Sequence, residues 1–232
     1  MKPLIISRAK QMKKTLNVNE MFVSIQGEGH FAGVPCLFIR LQGCDNGCSF
    51  CDTKHSWKSD PKNKTTLQKI INKKKPNSKW MELDVDTILS IAVKLSNRLR
   101  HVVVTGGEPC LQDINDLILG LSRIFSTVQI ETSGTRDLKA VSRLGVWVTL
   151  SPKKKPIKIS KVNEVKMVIG NYNDVARLEE IIKQIGSSLY LLPKIFIQPE
   201  SRSSKANKIC YDVSLKTGWR VSIQLHKYLK WT

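Results

Sequence analysis

Short β-branched, apolar runs alternate along the chain with longer segments in which apolar residues recur at helical spacing. The runs predict strands at 36–41, 101–104, 127–130, 146–150, 165–169, 194–197 and 220–224. The amphipathic segments predict helices that include 85–99, 114–125 and 175–185. For the last helix, Asn173 or Asp174 is predicted as the N-cap and Gly186 as the C-terminal stop. Strands that alternate with helices in this way form a largely parallel sheet, so the predicted fold class is α/β.

Polar and glycine-rich motifs follow five of the predicted strands. They are Gly43-Cys44, Thr105-Gly106-Gly107-Glu108-Pro109, Glu131-Thr132-Ser133-Gly134, Ser151-Pro152-Lys153 and Gln198-Pro199. In a parallel sheet the turns that follow the strands lie along one edge, and α/β proteins bind their ligands at this carboxyl edge. We therefore expect one site that is built from several segments of the chain.

The alternating pattern covers the chain without an internal repeat or an inter-domain linker. A chain of 232 residues is long enough to bury one sizeable core, so we expect a single domain over 1–232. Residues 59–78 break the alternation with Asp60-Pro61, Pro76 and several Lys and Asn residues. This composition predicts an exposed insertion.

Charge and hydropathy narrow the classes of partner. The chain has 38 Lys and Arg against 19 Asp and Glu, a formal net charge of +19, which would attract an acidic small substrate as well as nucleic acid. The basic runs lie apart and have no interleaved aromatic residues, so we expect no nucleic-acid partner. No apolar run approaches the ~18 residues that cross a bilayer, and the Leu4-Ile5-Ile6 patch is too short for a signal peptide. We expect a cytoplasmic protein without a membrane partner.

Three of the six cysteines lie within eight residues, in the spacing Cys-x3-Cys-x2-Cys. They are Cys44, Cys48 and Cys51, whereas Cys36, Cys110 and Cys210 are dispersed. Thiols this close together indicate a metal site or redox chemistry. With His55 as a fourth ligand they could form a Cys3His zinc site. Alone they suit a four-iron cluster that leaves one iron open for a ligand from outside the protein, and both alternatives stay open at this point.

The cysteine motif, with Phe50 before its last cysteine, and the Gly106-Gly107-Glu108-Pro109 motif resemble the radical S-adenosylmethionine superfamily. Further motifs, in order between Asn19 and Lys227, make the chain similar to the 7-carboxy-7-deazaguanine synthase family within it. They are Ile25-Gln26-Gly27-Glu28-Gly29, Phe38-Ile39-Arg40-Leu41-Gln42-Gly43, Cys51-Asp52-Thr53, Glu131-Thr132-Ser133-Gly134, Ser151-Pro152-Lys153 and Gln224-Leu225-His226-Lys227.

This resemblance implies a fold and a reaction. The fold would be a shortened, partly open TIM-like (βα) barrel, usually a homodimer. The reaction would be the radical ring contraction of 6-carboxy-5,6,7,8-tetrahydropterin to 7-carboxy-7-deazaguanine with loss of ammonia. It is a carbon–nitrogen lyase reaction that feeds queuosine and other 7-deazapurines, and the family expectation for the electron donor is a flavodoxin.

The resemblance also implies a role for each motif. The three clustered cysteines would ligate a 4Fe–4S cluster whose fourth iron is chelated by S-adenosylmethionine, and an electron from the cluster would cleave the sulfonium to give a 5′-deoxyadenosyl radical. The residues implied to bind this cofactor are Phe50, Cys51, Asp52, Gly107, Glu108, Ser133, Ser151, Pro152, Lys153 and Gln198. The residues implied to bind the pterin are Ile25, Gln26, Gly27, Arg40 and Thr105. Arg40 would hold the substrate carboxylate in a forked pair, and Thr53 would bind Mg²⁺.

Two other functions stay open. The chain could be a different radical S-adenosylmethionine enzyme, such as an activase that takes hydrogen from a glycine of a partner protein. It could also be a non-catalytic zinc module that binds RNA through its lysines. Several motif residues have structural interpretations as well: the Gly106-Gly107 pair suits a tight turn, Asp52-Thr53 a helix cap and Arg40 the surface. His226 could close the pocket or be an ordinary histidine.

Overall fold

A nine-stranded sheet, five α-helices and five short 3-10 helices make up the secondary structure of the described residues. The computed structural model of the protein describes residues 14–71, 73, 75–138, 145–153, 156–186, 192–201 and 203–229. The strands are β1 (Thr15–Ile25), β2 (Pro35–Leu41), β3 (Met81–Asp84), β4 (His101–Gly106), β5 (Thr127–Thr132), β6 (Val146–Leu150), β7 (Glu164–Ile169), β8 (Lys194–Pro199) and β9 (Arg220–Val221). The helices are α1 (Val85–Ser96), α2 (Asn115–Leu121), α3 (Tyr172–Gly186), α4 (Ser204–Thr217) and α5 (His226–Leu229). The N-terminal Leu4-Ile5-Ile6 patch lies outside the described residues.

The strand order is β3-β1-β2-β4-β5-β6-β7-β8-β9. From β2 to β9 every neighbouring pair is parallel, whereas β1 is antiparallel to both β2 and β3. The sheet stays open, because β3 and β9 are its two edges. The prediction of an open, largely parallel α/β sheet is therefore confirmed. No described helix combines the length and apolar character that a membrane crossing needs.

The sequence pattern missed the two antiparallel strands, β1 and β3. In β1, the polar residues Asn17, Asn19 and Glu20 interrupt the apolar positions, and the pairing register with β2 shifts between Val18 and Glu20. This irregularity hides the alternation of apolar and polar positions that identifies a strand. β3 has only four residues.

Four predicted element boundaries were wrong by three residues or more. α2 ends at Leu121 and not at 125. α1 ends at Ser96, because the next residue, Asn97, has a φ of 46°. The predicted strand 220–224 contains only two residues of strand. α3 begins at Tyr172, before either predicted N-cap, and its Asp174 side chain reaches back to accept from the backbone N–H groups of Gly170 (2.9 Å) and Asn171 (3.0 Å). The helix ends at Gly186, as predicted.

The two faces of the parallel sheet differ in chemistry. One face carries apolar side chains that form a single buried cluster with residues of the helices. Its strand members include Leu37, Ile39, Leu41, Val102, Val104, Val128, Ile130, Val148, Val165, Met167 and Ile197. Alternate positions of the same strands point to the opposite face, because successive side chains of a strand point to opposite sides. This second face, called the interior face below, carries many of the polar residues of the site.

The segment 59–78 is anchored to the core as far as it is described. It contains two 3-10 turns, Pro61–Asn63 and Leu67–Lys69, followed by Ile70, which is fully buried in the apolar cluster. The carbonyl of Ile70 accepts a hydrogen bond from the backbone N–H of Met21 at 2.9 Å. The predicted insertion is therefore not exposed throughout, since one apolar residue fastens it to β1.

We predict that Ile70→Ala lowers the free energy of unfolding by about 2–5 kcal/mol, because it removes buried apolar surface and leaves a cavity. Urea unfolding followed by far-UV circular dichroism measures the change. Ile223→Ala is the matched control, since that side chain is 53% exposed, and its effect should stay within about 0.5 kcal/mol. Equal losses in the two variants would contradict the anchoring role of Ile70.

Candidate active site

The cysteine loop, residues 43–57, follows β2 at the carboxyl edge of the sheet. Two backbone hydrogen bonds close the loop: Gly43 N–H donates to the Ser56 carbonyl at 2.7 Å, and Cys44 N–H donates to the Trp57 carbonyl at 2.9 Å. The clustered thiols Cys44, Cys48 and Cys51 are all free and half-buried. The loop therefore brings three unpaired thiols to the edge where the sequence predicts a site.

The arrangement of these thiols does not suit a single metal ion. Among the residues that the structure describes, no three His, Cys, Asp or Glu side chains converge to hold one ion. Zinc in a Cys3His site needs its thiolates about 2.3 Å from one centre, a convergence that the described side chains do not show. In a four-iron cluster each cysteine binds a different iron, so the three sulfurs need not converge on one point. Three half-buried thiols on one loop fit that group.

The Gly106-Gly107 pair lets β4 end in direct contact with the start of the cysteine loop. A Cβ atom on Gly107 would lie 2.1 Å from the Gly43 carbonyl oxygen, and Gly106 has a φ of 147°. Gly107 N–H donates to the Leu41 carbonyl at 3.1 Å, and Glu108 N–H donates to the Gly43 carbonyl at 2.8 Å. The glycines thus have the structural role of a tight turn, and the same contacts position the residues around them.

Glu108 joins this turn to the Glu131-Thr132-Ser133-Gly134 segment. Its carboxylate is almost completely buried and accepts from the Thr132 hydroxyl (2.6 Å), the Cys110 N–H (3.1 Å), the Ser133 N–H (2.7 Å) and the Ser133 hydroxyl (2.5 Å). Four donors occupy the roughly four acceptor positions of a carboxylate. Contact between Glu108 and a cofactor ammonium therefore requires one of these hydrogen bonds to be exchanged.

Asn46 supplies a polar atom that sequence reasoning missed. Its Nδ2 lies 3.2 Å from the Ser133 hydroxyl and 3.7 Å from Cys44 Sγ. Its Oδ1 is buried and has no hydrogen-bond partner among the described residues. An unpartnered buried acceptor beside the first cysteine suits an ammonium group, such as that of S-adenosylmethionine. In the sequence, Asn46 looks like an ordinary turn residue, so no local pattern could have identified it.

The remaining predicted cofactor residues lie around the mouth of the site. Lys153 Nζ donates to the Ser151 hydroxyl at 3.0 Å and lies 5.2 Å from the centre of the Phe50 ring. Burial lowers the pKa of Lys153, while the nearby Cys48 and Cys51 thiols oppose this shift. Pro152 is buried and Asp52 is exposed. Gln198 is buried on the interior face, where its Oε1 accepts from the Ser222 hydroxyl at 3.3 Å.

A network of buried polar side chains covers the interior face below the cysteine loop. Lys166 donates to Glu28 and, at 3.4 Å, to Glu131 Oε1. Glu131 also accepts from Gln26 Nε2 at 3.2 Å and from the Thr105 hydroxyl at 3.2 Å. Two predicted substrate residues, Gln26 and Thr105, thus both donate hydrogen bonds to the Glu131 carboxylate. From the sequence, Glu28 and Glu131 were identified only as members of motifs, and Lys166 was not identified at all.

Charge pairing sets the protonation of this network. Burial alone would raise the pKa of Glu28. The positive charge of Lys166 and the hydrogen bonds that Lys166 and Gln224 donate to Glu28 outweigh burial and lower the pKa to about 2. Burial would likewise lower the pKa of Lys166, but Glu131 and Glu28 raise it above its ordinary value. Lys166 is therefore a buried ammonium between two carboxylates.

The signal that could have revealed this network is the alternation within the strands. Polar residues occupy many of the alternate positions at which the side chain faces away from the apolar cluster. The buried ones include His101, Thr105, Gln129, Thr149, Glu164, Lys166 and Gln198. The apolar positions identify the strands. The polar positions between them indicate a second, polar face of the same sheet, which the sequence analysis did not predict.

Arg40 is buried and ion-paired, so its interpretation as a surface residue is wrong. Its Nε donates to Glu20 Oε1 at 2.6 Å, and both side chains are largely buried. Arg40 stands opposite Thr105 in the parallel register of β2 and β4. A guanidinium has five N–H donors, so the pair with Glu20 leaves most of the fork for another anion.

The other predicted residues lie at the rim of the interior face. A Cβ atom on Gly27 would lie 2.7 Å from His226 Nδ1, and the Gly27 carbonyl accepts from the Leu225 N–H at 3.0 Å. The C-terminal segment therefore packs directly on the Ile25-Gln26-Gly27 turn. The Thr53 hydroxyl lies 3.5 Å from Cys51 Sγ.

We predict that Lys166→Met lowers the free energy of unfolding by about 3–5 kcal/mol at pH 7, because it leaves buried carboxylates without their cation. The pKa of Glu28 is lower in the folded chain than its ordinary value of 4.5, so the contribution of this pair is complete above that pH and is lost as the pH falls toward 2. The difference between wild type and variant should therefore narrow below pH 4.5. Urea unfolding at a series of pH values measures this difference.

Lys166→Arg is the control for Lys166→Met, since it keeps the positive charge and should lose less stability. A difference between wild type and Lys166→Met that is the same at every pH would contradict the ion pairing.

Comparisons with known proteins agree with this geometry. The model of the radical SAM superfamily matches residues 38–186. The crystal structure of QueE from Escherichia coli superimposes with a TM-score of 0.82 at 35% identity, over 91% of this chain and 95% of that one.

Two named relatives match over most of their length. The 7-carboxy-7-deazaguanine synthase of Buchnera aphidicola subsp. Schizaphis graminum is 42% identical over 217 residues, which is 92% of this chain and 97% of the relative. The enzyme of the same name from Escherichia coli K12 is 37% identical over 221 residues, 91% of this chain and 97% of the relative. Together with the cysteine loop and the open parallel sheet, these matches show that the chain belongs to the 7-carboxy-7-deazaguanine synthase family of the radical S-adenosylmethionine superfamily.

Proposed function

We propose that this chain converts 6-carboxy-5,6,7,8-tetrahydropterin to 7-carboxy-7-deazaguanine with loss of ammonia. The observation that carries the proposal is that the cysteine loop follows β2 at the carboxyl edge of the sheet whose interior face holds Glu131 and Lys166. Lys166 is also ion-paired with Glu28, which lies in the turn after β1. Radical chemistry needs its reagent and its substrate side by side, out of water. The relatives named for this reaction match the chain over more than nine tenths of its length.

Membership of the superfamily implies a 4Fe–4S cluster and S-adenosylmethionine. Cys44, Cys48 and Cys51 would hold the cluster, and the unpartnered Asn46 Oδ1 and the Ser133 hydroxyl would contact the amino-acid end of the cofactor. When bound, the cluster and cofactor supply the radical that starts the rearrangement. The role of the chain is to hold both groups at the mouth and to keep the substrate beneath them.

The interior face suits a small, polar, anionic ring. The Glu28 and Glu131 carboxylates can accept hydrogen bonds from ring N–H groups. Lys166 lowers the pKa of Glu28, so the Glu28 carboxylate remains an acceptor. Gln26 adds an amide. Arg40 offers the rest of its guanidinium fork to the substrate carboxylate, held in place by Glu20.

Thr53 is the proposed Mg²⁺ ligand. Its carbonyl caps the following turn by accepting from the Ser56 N–H (2.9 Å) and the Ser56 hydroxyl (2.8 Å), so the Thr53 hydroxyl is not used for capping. A hydroxyl is a hard oxygen donor, and Mg²⁺ usually keeps several waters and shares oxygen atoms of its substrate. The ion would polarise the substrate carboxylate during the rearrangement.

The proposal includes the expected setting of the enzyme. It acts in the cytoplasm as a homodimer and takes electrons from a flavodoxin-type donor. The net charge of +19 supports an acidic protein donor, because charge complementarity accelerates association. The rival zinc module lacks its Cys3His site among the described residues. The rival activase would need room for a peptide, whereas the polar network fits a small ring.

An anaerobic assay tests the function. We expect reduced, cluster-loaded protein with S-adenosylmethionine, Mg²⁺ and 6-carboxytetrahydropterin to form 7-carboxy-7-deazaguanine, detected by absorbance and mass spectrometry. Cleavage of S-adenosylmethionine without this product would contradict the substrate assignment. A colourless protein that contains zinc, with no iron or sulfide, would contradict the cluster.

We predict that Thr53→Ala raises the Mg²⁺ concentration needed for half-maximal turnover by at least about tenfold, because a direct oxygen ligand is lost. Steady-state assays over a series of Mg²⁺ concentrations measure the effect. Thr53→Ser keeps the hydroxyl and should respond to Mg²⁺ like the wild type. Equal Mg²⁺ dependence of Thr53→Ala and wild type, at unchanged iron content, would remove Thr53 from the magnesium site.

A further inference from the structure

The indole of Trp57 donates a hydrogen bond to one of the clustered thiols. Its Nε1 lies 3.3 Å from Cys51 Sγ. An indole N–H is only a donor, so the sulfur must be the acceptor in this pair. Trp57 has no assigned role in binding the substrate or S-adenosylmethionine. Its hydrogen bond to a cysteine sulfur therefore points to a different role.

Trp57 is held in place at three points. Its carbonyl accepts from the Cys44 N–H at 2.9 Å, and its own N–H donates to the Lys54 carbonyl at 3.2 Å. The side chain amide of Gln42, itself buried, donates to the carbonyl of the next residue, Lys58, at 2.7 Å. The backbone of Trp57 is therefore tied to the first cysteine while its indole is tied to the third. This arrangement fixes the direction of the indole N–H.

Trp57 is the strongest candidate donor to the three sulfurs among the described residues. Asn46 Nδ2 is 3.7 Å from Cys44 Sγ and also donates to the Ser133 hydroxyl. Its hydrogen bond to sulfur is therefore longer than that of Trp57 and shared with a second acceptor. The Thr53 hydroxyl is 3.5 Å from Cys51 Sγ, and either atom could be the donor. Of these three side-chain donors, only the indole combines a short distance with the absence of a second acceptor.

We propose that Trp57 is a positioning residue that raises the reduction potential of the cluster by donating its indole N–H to the Cys51 sulfur. The proposal depends on the cluster assigned under the proposed function. Hydrogen bonds to cluster sulfurs are one of the factors that set the potential of an iron–sulfur site. Reduction adds negative charge, and an N–H donor stabilises the sulfur more as this charge grows. Trp57 thus makes the cluster easier for the electron donor to reduce.

The test is a potentiometric titration of the loaded enzyme, followed by electron paramagnetic resonance, with Trp57→Phe. The variant keeps an aromatic ring but loses the donor. At a fixed ambient potential we expect the ratio of reduced to oxidised cluster to fall about tenfold, which equals about 59 mV for a one-electron couple. An unchanged potential in a variant with full iron and sulfide content would overturn the proposal.

Trp80→Phe is the matched control. The Trp80 indole donates to the Asp60 carbonyl at 2.9 Å, not to a thiol. This variant also loses one indole donor, but its cluster should keep the potential of the wild type. A shift of the same size in both variants would mean that any loss of an indole changes the protein, and would overturn the specific role of Trp57.

A second substitution covers the case in which Trp57→Phe does not retain its cluster. Replacement of Trp57 by 3-benzothienylalanine puts a sulfur in place of the N–H and keeps the shape of the ring. We expect the same shift in potential, together with loss of one exchangeable proton coupling in electron–nuclear double resonance of the reduced cluster. Wild-type coupling and potential in this variant would overturn the proposal.

The outcomes separate this inference from the proposed function. If the potential shifts in Trp57→Phe but the wild-type protein makes no deazaguanine, the role of Trp57 is supported and the substrate assignment is rejected. An unshifted potential in protein that makes the product rejects only the role of Trp57.

Discussion

The Lys166 ammonium, buried between the carboxylates of Glu28 and Glu131, is the interaction on which the site depends. A buried charge is strongly unfavourable without a partner, and each member of this group supplies the partner of another. Glu131 then accepts from Gln26 and Thr105, so that the turn after β1 and strands β4, β5 and β7 are all joined through one set of polar atoms. The interior face can be polar because these groups satisfy one another.

The parallel sheet also explains why the interior face lies next to the mouth of the site. Several strands carry an interior-face residue and, two to four residues later, a residue of the mouth. Each of these strands ends one residue after its interior-face residue, so the second residue lies in the turn just beyond the strand. The pairs are Arg40 and Cys44, Thr105 and Glu108, Glu131 and Ser133, and Thr149 and Ser151. The strands therefore place the interior-face residues beside the residues of the mouth.

Hydrogen bonds between backbone groups make the cysteine loop part of this frame. Gly43 and Cys44 are bonded to the end of the loop, and the Gly43 carbonyl accepts from Glu108 at the end of β4. Glu108 in turn holds Ser133 after β5. A displacement of any one of these segments would move the others. The thiols are thus fixed relative to the interior face without a disulfide or a long hydrophobic contact.

Much of the fold and part of the site could be predicted from the sequence. The parallel strands from β2 to β8 appear as local apolar runs, and the position of a motif after a strand places it at the carboxyl edge regardless of the rest of the fold. The irregular strand β1 escaped detection because its register shifts near Glu20. Burial of Ile70 was equally hidden, since its apolar neighbours Leu67 and Ile71 form too short a group among the lysines to indicate an element.

What the sequence by itself determined was the chemistry available: three thiols at a fixed spacing, the glycine pair, and the order of motifs along the strands. Those features are local, so neighbouring residues encode them. Only the tertiary structure decided which side chains become partners. Lys166 lies 138 residues from Glu28, and Arg40 pairs with Glu20 across β2 and β1. Such pairs depend on sheet order and register, which bring distant residues together and which no local pattern contains.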